Sequence, residues 1–131
     1  MPEPVYDFVV FGATSFVGKI LCRYLVDQFG TGGTLKWAAA GRSRSKLEQL
    51  RSDFSGAALP LIVADAADEP SLRAMCGAAR AVVSTVGPYA LYGEPLVKVC
   101  AETGTDYCDL TGEAYWIKRM ISRSEAAAKA S

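Results

Sequence analysis

Gly12-Ala-Thr14-Ser15-Phe16-Val17-Gly18 is the segment of this chain best suited to chemistry. It follows an apolar run and opens a helical pattern. A glycine at 12 permits a sharp turn, because a residue without Cβ enters left-handed backbone conformations cheaply. A glycine at 18 lets the helix pack close to the strand. The N–H groups of Thr14–Val17 would then point from a helix N-terminus toward a bound anion, and a pyrophosphate fits such a place. Thr14 and Ser15 can donate hydroxyls to phosphate oxygens or cap the helix. The spacing is Gly-x-x-Ser-x-x-Gly, so a small serine replaces the middle glycine of the commoner turn. A mere strand–helix turn is the plainer reading, but a strand before and a helix after favour nucleotide binding. Valine at 12 is expected to abolish cofactor binding while sparing the fold.

The next apolar run ends Ala39-Ala40-Gly41-Arg42-Ser43-Arg44. A binder of NAD places Asp or Glu there, on the ribose 2′-hydroxyl. No carboxylate stands at the position, and Asp27 belongs to the polar side of the first helix. Arg42 can instead grip a 2′-phosphate with two N–H groups or stack on adenine. Ser43 can donate to the same phosphate, with Arg44 or Lys46 adding charge. Arg42–Arg51 holds four bases and one acid in an otherwise neutral chain. A solvated helix start would explain Arg44 and Arg51 but not Arg42 in the acid's place. The cofactor expected is NADP, with NADPH preferred over NADH.

Asp65 follows the third apolar run and either meets the adenine amino group or caps its own turn. The fourth run ends Ser84-Thr85-Val86-Gly87-Pro88-Tyr89, near the nicotinamide ribose and pyrophosphate in this class of fold. Gly87 would keep Cβ atoms off the cofactor and Pro88 would stiffen the loop. Tyr89 and Tyr92 are expected to be exposed and to line the site, or else to pack under a further domain. The expected cofactor-binding set is therefore Gly12, Thr14, Ser15, Phe16, Val17, Gly18, Arg42, Ser43, Asp65, Val86, Gly87 and Pro88.

Other chemistries are excluded. The chain has no histidine, which removes Ser-His-Asp and Cys-His catalysis. Cys22, Cys76, Cys100 and Cys108 contain no Cys-x-x-Cys pair, so neither a zinc site nor a disulfide scaffold is expected. A Tyr-x-x-x-Lys pair is missing: Tyr89 leads to Gly93, Tyr92 to Leu96 and Tyr115 to Arg119. Fourteen acids balance fourteen bases, which argues against nucleic acid as a partner. No apolar run approaches a membrane span, and Met1-Pro2-Glu3-Pro4 lacks the order of a signal peptide. The expectation is a cytoplasmic protein with reduced, mostly buried thiols.

These residues need a scaffold. Five β-rich runs, Tyr6–Phe11, Leu35–Ala40, Leu61–Ala64, Ala81–Val86 and Asp106–Leu110, alternate with helical patterns. The first four are nearly continuously apolar, as strands covered on both faces must be. The first helix carries Val17, Ile20, Leu21, Tyr24 and Leu25 as its apolar stripe. The second carries Leu47, Leu50 and Phe54, opened by the capping-box spacing Ser45-Lys-Leu-Glu48. Leu72, Met75 and Cys76 define the third, and Leu96, Val99 and Cys100 the fourth. Trp116, Ile117, Met120 and Ile121 define the fifth, fading over Ser124–Ser131. Strict alternation predicts a doubly wound parallel α/β sheet with right-handed crossovers. Residues 1–131 form one dinucleotide-binding domain, and the expected sixth strand would begin where the sequence stops. That suggests a truncated C-terminus, and uncovered apolar surface there leaves room for a homodimer.

Gly12-Ala-Thr-Ser-Phe-Val-Gly18, Ala40-Gly-Arg-Ser43, Val86-Gly-Pro-Tyr89, Tyr92-Gly-Glu-Pro95 and Asp106-Tyr-Cys-Asp-Leu-Thr-Gly-Glu113 occur in that order. Together they resemble the amino-terminal part of the saccharopine dehydrogenase-like oxidoreductases. The Gly-Pro-Tyr and Tyr-Gly-Glu-Pro pattern looks closer to the trans-acting enoyl reductase branch than to true saccharopine dehydrogenases. The resemblance runs from Tyr6 to about Glu113. It implies an NAD(P)-binding Rossmann domain of a longer oxidoreductase, with a further domain binding a small-molecule substrate. The nicotinamide would pass hydride to an enoyl or imine group. No residue is assigned as catalytic. Tyr89 and Glu113 are the local candidates for a proton donor, although Glu113 more naturally caps the last helix. A non-catalytic NADPH-sensing module acting through a protein partner would use the same cofactor residues, and a degenerate, empty site is the blander alternative.

Overall fold

A computed structural model describes residues 3–54 and 58–131. Met1 and Pro2 of the leader reading lie outside the described residues. In chain order the elements are β1 (Tyr6–Phe11), α1 (Phe16–Phe29), β2 (Trp37–Gly41), α2 (Arg44–Ser52), β3 (Leu61–Val63) and α3 (Glu69–Gly77). They continue with β4 (Ala79–Ser84), α4 (Tyr89–Tyr92), α5 (Glu94–Thr103), β5 (Asp106–Asp109) and α6 (Ala114–Ala130). The strands form one parallel sheet in the order β3-β2-β1-β4-β5. The chain leaves β1 for the β2–β3 side and later returns to β4 on the other side. The order thus reverses between β1 and β4, and the carboxyl ends of those two strands flank the crevice where such sheets bind ligands.

Side chains alternate along β1, so Val9 and Phe11 enter one core and Val10 the other. The first core is closed by Leu72, Met75 and Cys76 of α3 and by Leu96, Val99 and Cys100 of α5. The second is closed by Cys22 and Leu25 of α1 and by Leu47 and Leu50 of α2, with Phe54 just beyond. Ala38, Ala39 and Ala40 are fully buried in β2, where small side chains let helices approach both faces. A third, smaller cluster joins Tyr89, Trp116 and Met120 and fixes α6 to the rest.

Several elements depart from the sequence expectation. β2 begins at Trp37 rather than Leu35, because the backbone of Lys36 is bonded to Asp7 through both its N–H and its carbonyl. β4 runs over Ala79–Ser84, because its ladder with β1 begins at Tyr6 and ends with Phe11 opposite Ser84. The first helix does not bury Val17, Ile20 and Tyr24. Its buried face is Gly18, Cys22 and Leu25, and Ile20 and Tyr24 are 57% and 56% exposed. Gly18 decides this, since a Cβ there would sit 2.1 Å from the Gly12 carbonyl oxygen. The helix turns its one bare position to the strand, and Val17 and Ile20 rotate outward.

The cap of α2 is Ser43, whose hydroxyl accepts from Lys46 N at 3.3 Å. Ser45 and Glu48 lie inside the helix, and Glu48 pairs with Arg44 at 3.3 Å instead. Residues 124–130 do not fade but continue α6, as an alanine-rich segment readily does. Ile117 and Ile121 are exposed on that helix, while Trp116, Met120 and Ser124 are buried.

Candidate functional site

The turn after β1 is organised by one carbonyl. Gly12 has φ +84°, a conformation that L side chains rarely adopt. Its oxygen accepts from Ser15 N at 3.0 Å, from Ser15 Oγ at 2.8 Å and from Thr85 Oγ1 at 2.9 Å. Ser15 Oγ also accepts from Gly18 N at 3.0 Å, making Ser15 the N-cap of α1. A glycine could not make either side-chain bond, which explains a serine at the middle position. The N–H groups of Thr14, Phe16 and Val17 have no partner among the described residues, whereas that of Ser15 is tied to Gly12. Three donors thus remain for an anion at the helix start, with the positive end of the peptide dipoles behind them.

A Cβ at Gly12 would meet Thr85 Oγ1 at 2.5 Å and Val86 Cγ2 at 2.8 Å. Valine at 12 would therefore disturb the contact between β1 and β4. The expectation that the fold is spared is corrected on this ground. Gly18 has the role anticipated for it, close packing of helix on strand.

At the end of β2, Arg42 is exposed and makes no ion pair among the described residues. The four bases of Arg42–Arg51 divide in use. Arg44 is engaged by Glu48, and Arg51 reaches toward the Leu59 carbonyl at 3.5 Å. Arg42 and Lys46 face a cavity of about 460 Å³ that also receives Gly12, Thr14, Ser15, Ser43, Asp65, Val86, Gly87 and Tyr92. That volume lies within the usual range for a ligand site, roughly 300–1,000 Å³.

Asp65 lines the cavity and also makes the local contact expected of it. Its Oδ1 accepts from Ala67 N at 2.9 Å, while Oδ2 has no partner among the described residues. Phe16, Val17, Gly18 and Pro88 do not line the cavity. Phe16 and Val17 have only their backbone N–H groups, unpartnered among the described residues, at the helix start beside it, and Phe16's ring is 82% exposed. Tyr89 corrects the sequence reading: it is 6% exposed and covered by Trp116 of the same chain, ring centroids 5.4 Å apart. Its hydroxyl donates to Ser84 O at 3.0 Å and accepts from Leu110 N at 3.3 Å. Burial pushes that phenol up, with a smaller opposing effect from the Leu110 N–H. Glu113 does not cap α6 through its side chain; its carboxylate crosses to the start of α4. Neither group is free to serve as the proton donor suggested by the sequence.

Thr85 was missed. A hydroxyl pair, Ser84-Thr85, ending an otherwise apolar strand was the available signal. Among the described residues no cluster of three or more His, Cys, Asp or Glu could hold a metal ion. Among them also, no helix is long and apolar enough to cross a membrane.

A parallel sheet in this order, with a glycine turn at the reversal point and open donors at the first helix, defines a Rossmann-type dinucleotide-binding domain. The chain belongs to the family described as saccharopine dehydrogenase NADP binding domain, matched over residues 8–131. A Mycobacterium leprae protein named trans-acting enoyl reductase is 46% identical over 118 residues. That match covers 88% of this chain but only 28% of the relative's length. Among solved structures, Citrobacter sp. triphenylmethane reductase complexed with NADP(H) superposes with a TM-score of 0.67 at 17% identity. It is matched over 94% of this chain and 45% of the other. Apo saccharopine dehydrogenase (L-Glu forming) from Saccharomyces cerevisiae gives 0.66 at 17% identity, over 88% of this chain and 24% of that one. At such identities the two structures speak for the fold alone.

Proposed function

We propose that this domain holds NADP(H), in preference to NAD(H), for an oxidoreductase whose substrate is bound by a further C-terminal domain. The observation that carries the reading is the end of β2, where Arg42 and Lys46 open into the cavity and no carboxylate stands. Arg42 would take the 2′-phosphate with paired N–H groups, Lys46 would add a point charge, and Ser43 a hydroxyl. Thr14, Phe16 and Val17 would bind the pyrophosphate through their N–H groups, with the free oxygen of Asp65 available to adenine. Val86, Gly87 and Pro88 would flank the nicotinamide half, on the β4 side of the sheet.

What supports this reading is the set of open N–H donors at the turn and the bases Arg42 and Lys46 at the ribose end, which make no ion pair among the described residues. When bound, the cofactor supplies the hydride, and the protein supplies orientation and electrostatics. An enoyl or imine group is the proposed acceptor, the enoyl favoured by the name of the M. leprae relative. The protein is proposed to be cytoplasmic, with a small-molecule substrate. A second reading, an NADPH-sensing module, draws on one observation: Tyr89 and Glu113 are both committed to holding backbone. Turnover of an enoyl thioester by a protein containing the further domain separates the two.

The direct test is a fluorescence titration with NADPH and NADH. A charge-assisted contact is worth about 2 kcal/mol, so Arg42→Ala should weaken NADPH roughly thirtyfold and leave NADH nearly unchanged. An unaltered NADPH-to-NADH ratio would remove the case for NADP.

A further inference from the structure

The Thr111-Gly112-Glu113 run lies outside the cavity, yet its carboxylate is among the most fully engaged polar groups of the chain. Glu113 Oε2 accepts from Tyr89 N at 2.7 Å and Oε1 from Ala90 N at 3.0 Å. Thr111 Oγ1 donates to Glu113 Oε2 at 3.3 Å and accepts from Glu113 N at 3.0 Å, which fixes the direction of the side chain. The loop after β5 thereby grips the loop after β4.

The gripped residues begin directly after Val86-Gly87-Pro88. Upstream, Thr85 anchors the same loop through its N–H to Phe11 O at 2.9 Å and its hydroxyl to Gly12 O. Tyr89 adds a second tie through its hydroxyl to Ser84 O. The three residues are thus pinned at both ends, and Val86 and Gly87 form the cavity wall on the β4 side, away from Arg42 and Ser43. The Glu113 tie comes from outside the cavity, as does the Leu110 N–H on the Tyr89 hydroxyl, but Glu113 alone of the two holds the backbone next to Pro88. A carboxylate with two acceptor oxygens suits two successive N–H groups in a way that no neutral side chain does.

We propose that Glu113 is a positioning residue for cofactor binding, shaping the Val86-Gly87 wall for the nicotinamide half and leaving the adenosine half untouched. The proposal rests on the NADP(H) reading. It predicts that the two halves of the ligand respond differently to one substitution.

The experiment compares two probes on the 131-residue chain, NADPH and adenosine 2′,5′-bisphosphate, which carries the 2′-phosphate and adenine without nicotinamide. Glu113→Gln keeps one acceptor oxygen and turns an amide N–H toward the other backbone donor. It should weaken NADPH about tenfold, as expected for one charged hydrogen bond lost, and leave the bisphosphate within about twofold. Thr111→Val, a milder change, should shift NADPH alone in the same direction. Equal weakening of both probes would mean a merely structural role and overturn the proposal, as would no change in either. If the unsubstituted chain binds neither probe, the cofactor reading fails and the proposal with it. If it binds both and the variants leave their ratio unchanged, the cofactor reading stands and Glu113 loses its role.

Discussion

Thr85 and Gly12 lock the switch point of the sheet: the Thr85 hydroxyl donates to the Gly12 carbonyl at 2.9 Å. That same hydroxyl oxygen lies 2.5 Å from where a Gly12 side chain would begin. The bond and the exclusion are one fact. A threonine can sit against the turn because glycine leaves it room, and the room exists because β4 approaches β1 at the end of their ladder. The cavity floor is therefore part of the fold's own packing and is present before any ligand.

Gly12→Ala should accordingly lower stability as well as binding. The backbone there has φ +84°, which costs an L residue about 1–2 kcal/mol, and the methyl must displace Thr85 or Val86, adding about 1–3 kcal/mol. A urea denaturation midpoint measures the sum. A midpoint equal to that of the unsubstituted chain would contradict the packing argument, whatever happens to NADPH.

The parts of this fold legible in the sequence are those decided locally. β1 and the burial of β2 are readable because a strand covered on both faces is apolar throughout, and the glycine turn because Gly12, Ser15 and Gly18 act within seven residues. The orientation of α1 was not legible. Its apolar residues offer two faces, and in the sequence the apolar stripe outweighs the close approach expected of Gly18, although that approach is what turns Ile20 and Tyr24 outward. The fate of Tyr89 was hidden for a different reason: its covering ring, Trp116, and the carboxylate on its N–H, Glu113, come from the far side of β5. Thr85 was hidden likewise, its acceptor lying 73 residues earlier. The cap of α2 depended on which of two serines, two positions apart, meets the end of β2.

The thiols should separate into one accessible and three protected groups. Cys108 is exposed, whereas Cys22, Cys76 and Cys100 are buried. Burial pushes the Cys22 thiol up to about 12, and burial with Asp109 nearby raises that of Cys108 more modestly. Cys76 and Cys100 lie with sulfurs 3.6 Å apart between α3 and α5; contact with Cys76 and burial push the Cys100 thiol up. Ellman's reagent should find one reactive thiol in the native chain and four after denaturation. The native reaction should quicken as pH rises above neutral, because the thiolate is the attacking form. A second rapidly reacting thiol without denaturant would show that a core is open to solvent.

The grip of Glu113 should also leave a signature in acid. The Ala90 and Tyr89 N–H groups, with help from Thr111, hold its carboxyl below the ordinary glutamate value, outweighing partial desolvation. A folded-state value below the unfolded one means stability that is fully present above the unfolded pKa. It is lost as pH falls through the folded pKa. Glu69, drawn down by hydrogen bonds from Arg73 and Lys98, contributes in the same window and has to be subtracted. The comparison is between the unsubstituted chain and Glu113→Gln, since Glu69 is common to both. Their urea midpoints should differ most near neutrality, begin to converge once pH drops below the ordinary value of about 4.3, and meet only below the lower folded-state value. Glutamine cannot ionise, so the Glu113 part of the acid limb must vanish from the variant. If the two curves run parallel down to pH 3, the carboxylate's charge contributes nothing to holding the Tyr89 and Ala90 backbone.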